Sequence, residues 1–547
     1  MNRNEMCGIA GFINFDSRNI KDTGSILKML EIQRHRGPDD SGIRLFSLRN
    51  GTSYEYSTAK PLAVTDDFEG VLGFNRLSIL DLSHNGHQPM ISSDDKVLLT
   101  LNGEIYNAFD FKNELEAWGY RFRSTTDTEV VLALYLRYGF EEMLSRLNGM
   151  FAIVIIDLYR REIFIARDRF GIKPMYYVKT DSTLAFASEL KSLIHVDGFN
   201  FLLAEEQLDE YLIFRNNLNG TLLRGIESLA PGHYLSFTIK SGMVKRCFFD
   251  INNYTRKRDV PDGFGIYEEK LERWLIKSVK SQLMSDVKLG CQLSGGVDSS
   301  LVTLLANRGN TDNNFESVSI VFSDRRFSEE NYIDRVSQQL GITAHKFLLD
   351  SDYYLSNIEK ATWHLEAPLN HQNTIGIYYL SQMAKEYVTV LLSGEGADEV
   401  FGGYERFREL KYPFRADMLL HQIRMNFKSP SAMINYSDEA YRAVTATAFM
   451  IPDIAVMLKR DCNYVGAIGI RKDLYHSLSG AQFDKQVKYE MLSYLPDLLI
   501  RQDKMSMAHS IENRVPFLDN EVVENSFLIP EGYLLLRRSP EGFKTQK

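Results

Sequence analysis

Apolar positions along the chain follow two different rhythms. Over residues 7–200, short apolar runs are cut by glycine and polar turns. Cys7–Asn14, Val71–Leu82, Val97–Leu101, Phe151–Asp157, Glu162–Ala166 and Leu184–Ala187 read as strands. Ile26–Gln33 has helical spacing. Thr126–Arg137 reads as a second helix, opened by a capping box from Thr126 to Glu129 and stopped at Gly139. The pattern predicts an α+β domain with packed sheets. Residues 201–265 read as a connecting segment, punctuated by Gly220, Gly225 and the Pro231-Gly232 turn signal. The polar stretch Tyr254–Asp262 marks the main boundary.

Beyond it the rhythm changes to alternating helix and strand. Helices are predicted over Tyr267–Met284, Ser299–Asn307, Glu329–Leu340 and Ile375–Lys385. Strands are predicted over Val287–Leu293, Ser317–Phe322, Ala344–Leu348 and Val388–Leu392. Such alternation implies a parallel, doubly wound α/β sheet. After Phe407 the reading is mostly helical. Three units follow: 7–200, the segment 201–265, and 266–547.

The first string with chemical content is Ser294-Gly295-Gly296-Val297-Asp298-Ser299-Ser300, between a buried strand and a helix. Glycines admit a ligand close to the backbone, and amides at a helix start favour phosphate. Ser294, Ser299 and Ser300 add hydroxyls. Asp298 would repel a bare phosphate, so it implies Mg2+ as intermediary. No Gly-Lys-Ser/Thr follows, so this is not a Walker loop. A bare Gly pair would be explained as a turn; the whole string asks for more. A second Gly-rich segment, Ser393-Gly394-Glu395-Gly396-Ala397-Asp398-Glu399, also follows an apolar strand, where α/β ligands bind. Its acids suit a metal beside a triphosphate.

Near the N-terminus, Cys7 follows Met6. As a first residue it would carry its own α-amino group as general base for its thiol. A buried structural cysteine at a strand start is the plainer reading of Met-Cys-Gly alone.

Composition narrows the class. Hydrophobic residues make up 44% and charged residues 25%, which supports a sizeable core and argues against disorder. The net charge of −9 argues against a nucleic-acid binder. The four cysteines, Cys7, Cys247, Cys291 and Cys462, show no metal or disulfide spacing, so a reducing cytoplasm is expected. No apolar run is long enough for a membrane span.

The Ser294–Ser300 string resembles the pyrophosphate loop of ATP-pyrophosphatase enzymes. Cys7, Arg36-Gly37-Pro38-Asp39, Asn75-Arg76-Leu77-Ser78, Asn102-Gly103-Glu104-Ile105-Tyr106-Asn107 and Thr125–Glu129 together resemble class II glutamine amidotransferases, which carry an N-terminal-nucleophile sandwich. Both halves in one chain resemble the glutamine-dependent asparagine synthetase family. Arg167–Pro174, Ala187–Lys191, Asp503–Ala508 and Arg514–Asp519 extend the match.

The resemblance implies roles. Cys7 attacks the glutamine side-chain amide; the Asn102 side chain and Gly103 amide form the oxyanion hole. Arg76 takes the α-carboxylate, while Glu104 and Asp127 take the α-ammonium; Asp127 is equally explained by the helix dipole. ATP is bound by Ser294, Gly295, Gly296, Asp298, Ser299, Ser300, Ser393 and Gly394. Ile320 and Val321 either contact adenine or belong to the core. Glu395 lies near the adenylate, and Asp298 with Asp398 holds Mg2+. The implied partners are glutamine, ATP and aspartate or another carboxylate acceptor, with neither nucleic acid nor membrane, and a homodimer is the family's expectation. Arg514 and Asp519 fit both the family pattern and a structural ion pair.

Two departures carry expectations of their own. Residues 1–5 precede Met6, so translation from Met6 or processing up to Cys7 is expected. The family normally continues past the segment matching Phe517–Pro530, with an active-site lysine to which Lys544 and Lys547 do not align. Synthesis weaker than glutaminase activity is therefore expected. Alternatives are an amidotransferase for a sugar or peptide carboxylate, a binding relative without turnover, and a simple glutaminase or protease.

Overall fold

Two antiparallel sheets and one parallel sheet carry the fold. The computed structural model describes residues 7–16, 20, 23–37, 39–57, 67–196, 198–218, 220–256, 263–310, 315–411, 438–448 and 464–535. The expectations placed on Met1–Met6, Lys544 and Lys547 lie outside them.

The first sheet runs 226–228, 176–179, 183–187, 8–14, 70–76, 40–47, 52–56 from edge to edge. The second runs 242–247, 233–238, 162–167, 149–157, 97–105, 90–91. Their inner faces meet through Ile9, Ile13, Leu72 and Phe74 on one side and Leu98, Val154, Ile156 and Ile165 on the other. Alternate residues of the same strands face outward. There Ala10, Phe12 and Val71 pack on Ile26, Met29 and Leu30 of the helix Gly24–Ile32. Leu99, Leu101, Ile153 and Ile155 pack on the helix Asp127–Tyr138. The result is a four-layer αββα sandwich, the packed-sheet α+β arrangement expected for this half. The stretch 201–265 carries a helix, Glu205–Phe214, and strands that extend both sheets.

Two local expectations are corrected. The strand expected over Val71–Leu82 stops at Arg76. Residues 77–83 instead turn back, and Leu80, Asp81 and Ser83 offer their carbonyls to the Arg76 guanidinium. Thr126 Oγ1 does accept from Glu129 N at 3.2 Å, and Gly139 ends the helix with φ 77°. The Glu129 carboxylate, however, accepts from the amides of Arg123 and Ser124, so the capping box is only half made.

The third sheet is parallel, in the order 343–348, 316–321, 289–292, 390–392, 512–514. Helices Phe264–Ser281 and Val297–Gly309 cover one face through Leu275, Val279, Val302 and Leu305. Helix Thr374–Ala384 covers the other through Leu380 and Ala384. This is the doubly wound arrangement. Chain direction across the sheet reverses between 289–292 and 390–392, the crevice where such folds bind ligands. Helices 464–477, 482–493, 495–507 and 520–526 form the C-terminal part. Strand Glu512–Arg514 lies inside the region expected to be helical; it pairs with 390–392 although its side chains are polar. Among the described residues, no helix is long and apolar enough to cross a membrane.

Candidate active sites

Cys7 precedes the central strand of the first sheet and is half-buried. Its Sγ accepts from Leu77 N at 3.4 Å, and its carbonyl accepts from Arg36 Nε at 3.2 Å. Burial pushes the thiol up to about 12, against the lowering pull of the Leu77 backbone and Arg76. At neutral pH it is a thiol and needs a base to become a nucleophile.

Asn102 and Gly103 lie mid-strand on the facing sheet, opposite Ala152 and Phe151. Asn102 Nδ2 donates to Ser188 Oγ at 3.4 Å, and the same hydroxyl accepts from Ile9 N at 3.0 Å. Asn102 is thereby tied to the Cys7 strand. Gly103 has φ 141°, and a Cβ there would sit 1.9 Å from the Met150 carbonyl oxygen. Only glycine holds this backbone.

Glu104 and Asp127 are both buried. Asp127 Oδ2 accepts from Ile105 N at 2.8 Å, whereas Glu104 Oε2 has no partner. Burial pushes Asp127 up to about 6. Glu104 is raised well above the usual range by burial, then by Asp127 and Glu512, with Arg514 and Lys173 pulling the other way. Buried acids with an unsatisfied oxygen are a seat for a cationic group. Arg76 is the converse: it is buried, and its guanidinium donates to three backbone carbonyls. Among the described residues no acidic side chain pairs with it, which leaves its charge for an anion.

The second site lies at the carboxyl ends of strands 289–292 and 390–392. Ser294 Oγ and Ser299 Oγ are 3.0 Å apart, and Ser299 Oγ accepts from Ser294 N at 3.2 Å. Gly295 turns with φ 86°, and a Cβ there would meet Tyr332 Cβ at 2.8 Å. Gly296 caps the following helix, whose first turn holds Asp298, Ser299 and Ser300. The two loops touch: a Cβ on Gly394 would lie 2.8 Å from Ser299 N and 3.0 Å from Asp298 Cβ. Burial raises Asp298 to about 6, helped by Asp398 and then Glu395. Burial also raises Glu395, while Arg501 pulls it down. Clustered acids of this kind suit a hard divalent cation, so Asp298 and Asp398 fit Mg2+.

Other expected residues make the following contacts. Ser393 is buried, with Oγ donating to Asn513 Oδ1 at 2.9 Å. Val321 packs on Leu293 and Ile333, whereas Ile320 packs on the opposite face with Phe347 and Leu380. Strand alternation thus separates the two. Arg514 donates to Glu512 Oε1 at 2.7 Å and to two carbonyls; Asp519 accepts from Asn148 Nδ2 at 2.7 Å and caps the helix Asn520–Ser526.

The family profile described as Asparagine synthase matches residues 270–539, and that of a Glutamine amidotransferase domain matches residues 62–249. Glutamine-hydrolyzing asparagine synthetase 1 of Bacillus subtilis is 30% identical, over 98% of this chain and 84% of the relative. The chain belongs to the glutamine-hydrolysing asparagine synthetase family. Glutamine-hydrolyzing asparagine synthetase 3 of the same organism is 27% identical over 96% of this chain and 81% of its own length. Amidase chyE of Penicillium rubens is 27% identical over 98% of this chain and 84% of its own length. The family is one of ATP-dependent ligases that draw nitrogen from glutamine.

In this asparagine synthetase family member, buried charges join the halves; Arg36, Lys173, Lys191, Asp503 and Lys504 fall in segments that carry the resemblance, whereas Glu366 and Arg501 do not. Arg36 is fully buried and donates to Glu189 Oε1 at 3.2 Å and to Asp503 Oδ2 at 2.7 Å. Lys173 Nζ reaches Asp503 Oδ1 at 3.3 Å. Glu366 takes Lys504, Lys191 and the Leu190 amide. Arg501 is 3% exposed, yet its Nε and Nη1 have no partner among the described residues. Glu366 gave no sequence signal, because its partners Leu190 and Lys191 are distant along the chain.

Proposed function

We propose that the chain hydrolyses glutamine at Cys7 and passes the ammonia to a carboxylate activated by ATP at the 294–300 loop, with the aspartate β-carboxylate as acceptor. The carrying observation is that Cys7 and the ATP loops lie toward opposite ends of the same two strands. Cys7 shares an apolar cluster with Leu77, Ile79, Leu80, Leu289, Val390 and Met507. Leu289 and Val390 begin strands whose far ends lead into Ser294 and Ser393. At about 3.3 Å per residue, three residues of strand separate the sites by at least about 10 Å.

The thiol attacks the amide carbon, the C–N bond breaks, and ammonia leaves; water then cleaves the thioester to glutamate. The base is the α-amino group that Cys7 gains once the residues before it are removed. Asn102 and Gly103 meet the developing oxyanion. Glu104 and Asp127 accept the substrate ammonium, and Arg76 its carboxylate. In the other half, a carboxylate oxygen attacks the α-phosphorus of ATP and pyrophosphate departs. Ammonia then displaces AMP. Mg2+ held by Asp298 and Asp398 would neutralise phosphate charge there. The apolar cluster supports transfer of ammonia uncharged. A cytoplasmic setting agrees with a reduced Cys7 thiol.

A second reading keeps the chemistry and changes the acceptor. It is favoured by the amidase relative, which matches nearly the same share of this chain as the synthetases do. The test is AMP and pyrophosphate release from ATP, Mg2+ and ammonium, with and without aspartate. Aspartate-dependent release with asparagine formed supports the first reading. No dependence on aspartate, with release on another carboxylate, supports the second.

A further inference from the structure

We propose that Asp40, His84 and His87 form a binding site for a first-row divalent cation of the zinc class, on the loop that holds Arg76. The three side chains offer one ligand atom each, all within 4.8 Å of one another. His87 Nδ1 already meets Asp40 Oδ2 at 2.6 Å. The two imidazoles lie 4.9 Å apart, tilted by 32°.

Local backbone explains the convergence. His84–Gly86 is a single 3-10 turn, capped by Ser83, whose Oγ accepts from Asn85 N at 3.2 Å. In a 3-10 turn, side chains at i and i+3 eclipse, so His84 and His87 fall on one side. Asp40 opens the neighbouring strand 40–47 and supplies the third ligand from a different element. The His84 imidazole has no hydrogen-bond partner among the described residues, so none of them competes for it. Donors around a tetrahedral zinc ion lie roughly 3.4 Å apart, given ligand distances near 2.1 Å. His84, which is exposed, would turn inward, and the Asp40–His87 pair, now at 2.6 Å, would open by under about an ångström to reach that spacing.

Ligand type selects the ion. Two imidazoles and one carboxylate suit zinc and its neighbours, whereas Mg2+ takes oxygen ligands. Three protein ligands leave a position for water. Position gives the site its interest. Asp40 is the ladder partner of Arg76, and a Cβ on Gly86 would lie 1.9 Å from Arg76 Nη2. A bound cation would therefore tie the 77–88 turn to the strand beside Arg76.

Zinc titration against a chromophoric chelator, in a Cys7→Ala background that removes the nucleophile thiol, tests the site. One equivalent is expected to bind, millimolar Mg2+ is expected not to displace it, and His84→Ala is expected to weaken it about tenfold or more. Asn85→Ala, in the same turn, is expected to keep it. X-ray absorption is expected to report imidazole ligation. Absence of stoichiometric zinc, equal affinity in His84→Ala, equal loss in Asn85→Ala, or displacement by Mg2+ would each overturn the proposal.

Discussion

Arg36 of the N-terminal half and Asp503 of the C-terminal half meet at 2.7 Å, both buried. Arg36 also holds the Cys7 carbonyl, so one guanidinium links the nucleophile to the synthetase half. Removing Asp503 takes one buried acid from Lys173 and one of two from Arg36, which keeps Glu189, at a cost of up to about 3–5 kcal/mol. Asp503→Ala is expected to lower the denaturation midpoint accordingly. The double variant Arg36→Met, Asp503→Leu is expected to recover much of the stability, which a denaturant titration of all three proteins would show.

Gly103→Ala puts a methyl where the Met150 carbonyl oxygen already sits. The strand must shift, and the amide leaves the oxyanion position. Glutaminase kcat is expected to fall about 100- to 1000-fold. AMP release with ammonium should stay close to that of the unaltered enzyme. Loss of both activities together would contradict a local role.

Asp127 is raised to about 6, and Glu104 is raised as well. Asp127 gains its proton as pH falls through about 6, so the charge proposed to hold the glutamine ammonium is lost below that value. The KM for glutamine is expected to rise as pH drops through about 6, with kcat less affected. Conversely, ionising buried Asp127 costs stability, so its contribution weakens the fold as pH rises through about 6. Steady-state glutaminase assays from pH 5 to 8 on the enzyme and on Asp127→Asn separate the effect; the variant should show a flatter profile.

Asp298 is raised to about 6 by burial and by Asp398. A cation must displace its proton below that pH. The Mg2+ concentration needed for half-maximal AMP release is expected to fall as pH rises through about 6. Asp298→Asn should slow release strongly while leaving glutaminase turnover intact. A pH-independent Mg2+ requirement would argue against Asp298 as a ligand.

Arg501 keeps Nε and Nη1 unpartnered in a buried place, close enough to Glu395 to pull its carboxyl down. Such a guanidinium awaits an anion. Arg501→Met is expected to raise the KM for the carboxylate acceptor far more than the KM for ATP. Measuring both with ammonium as nitrogen source checks it.

Much of this was legible along the chain. Short apolar runs cut by glycine and polar turns marked the sandwich strands, because the central ones are buried on both faces, between the sheets and under the flanking helices. Cys7, Asn102, Gly103 and the 294–300 loop stood out because their chemistry is local. The helix Asp127–Tyr138 was found from its cap and its glycine, not from an apolar stripe, since nearly every side is buried. Strand Glu512–Arg514 escaped notice, because three polar residues carry no periodicity and pairing with 390–392 is nonlocal. Glu366 and Arg501 escaped as well, while Arg36 and Lys173 lay in quoted segments whose pairing with Asp503 is nonlocal.

The shared charges at the seam also set how such a protein can be divided. On its own, the N-terminal half would keep Arg36, Lys173 and Lys191 and lose Asp503, Glu512 and Glu366, their acidic neighbours across the seam. The other half would keep the acids and lose the cations. Within each half Glu189, Lys504 and Arg514 would still pair part of these charges. A gene split at this seam would therefore yield two products, each carrying buried charges whose remaining partners lie on the other.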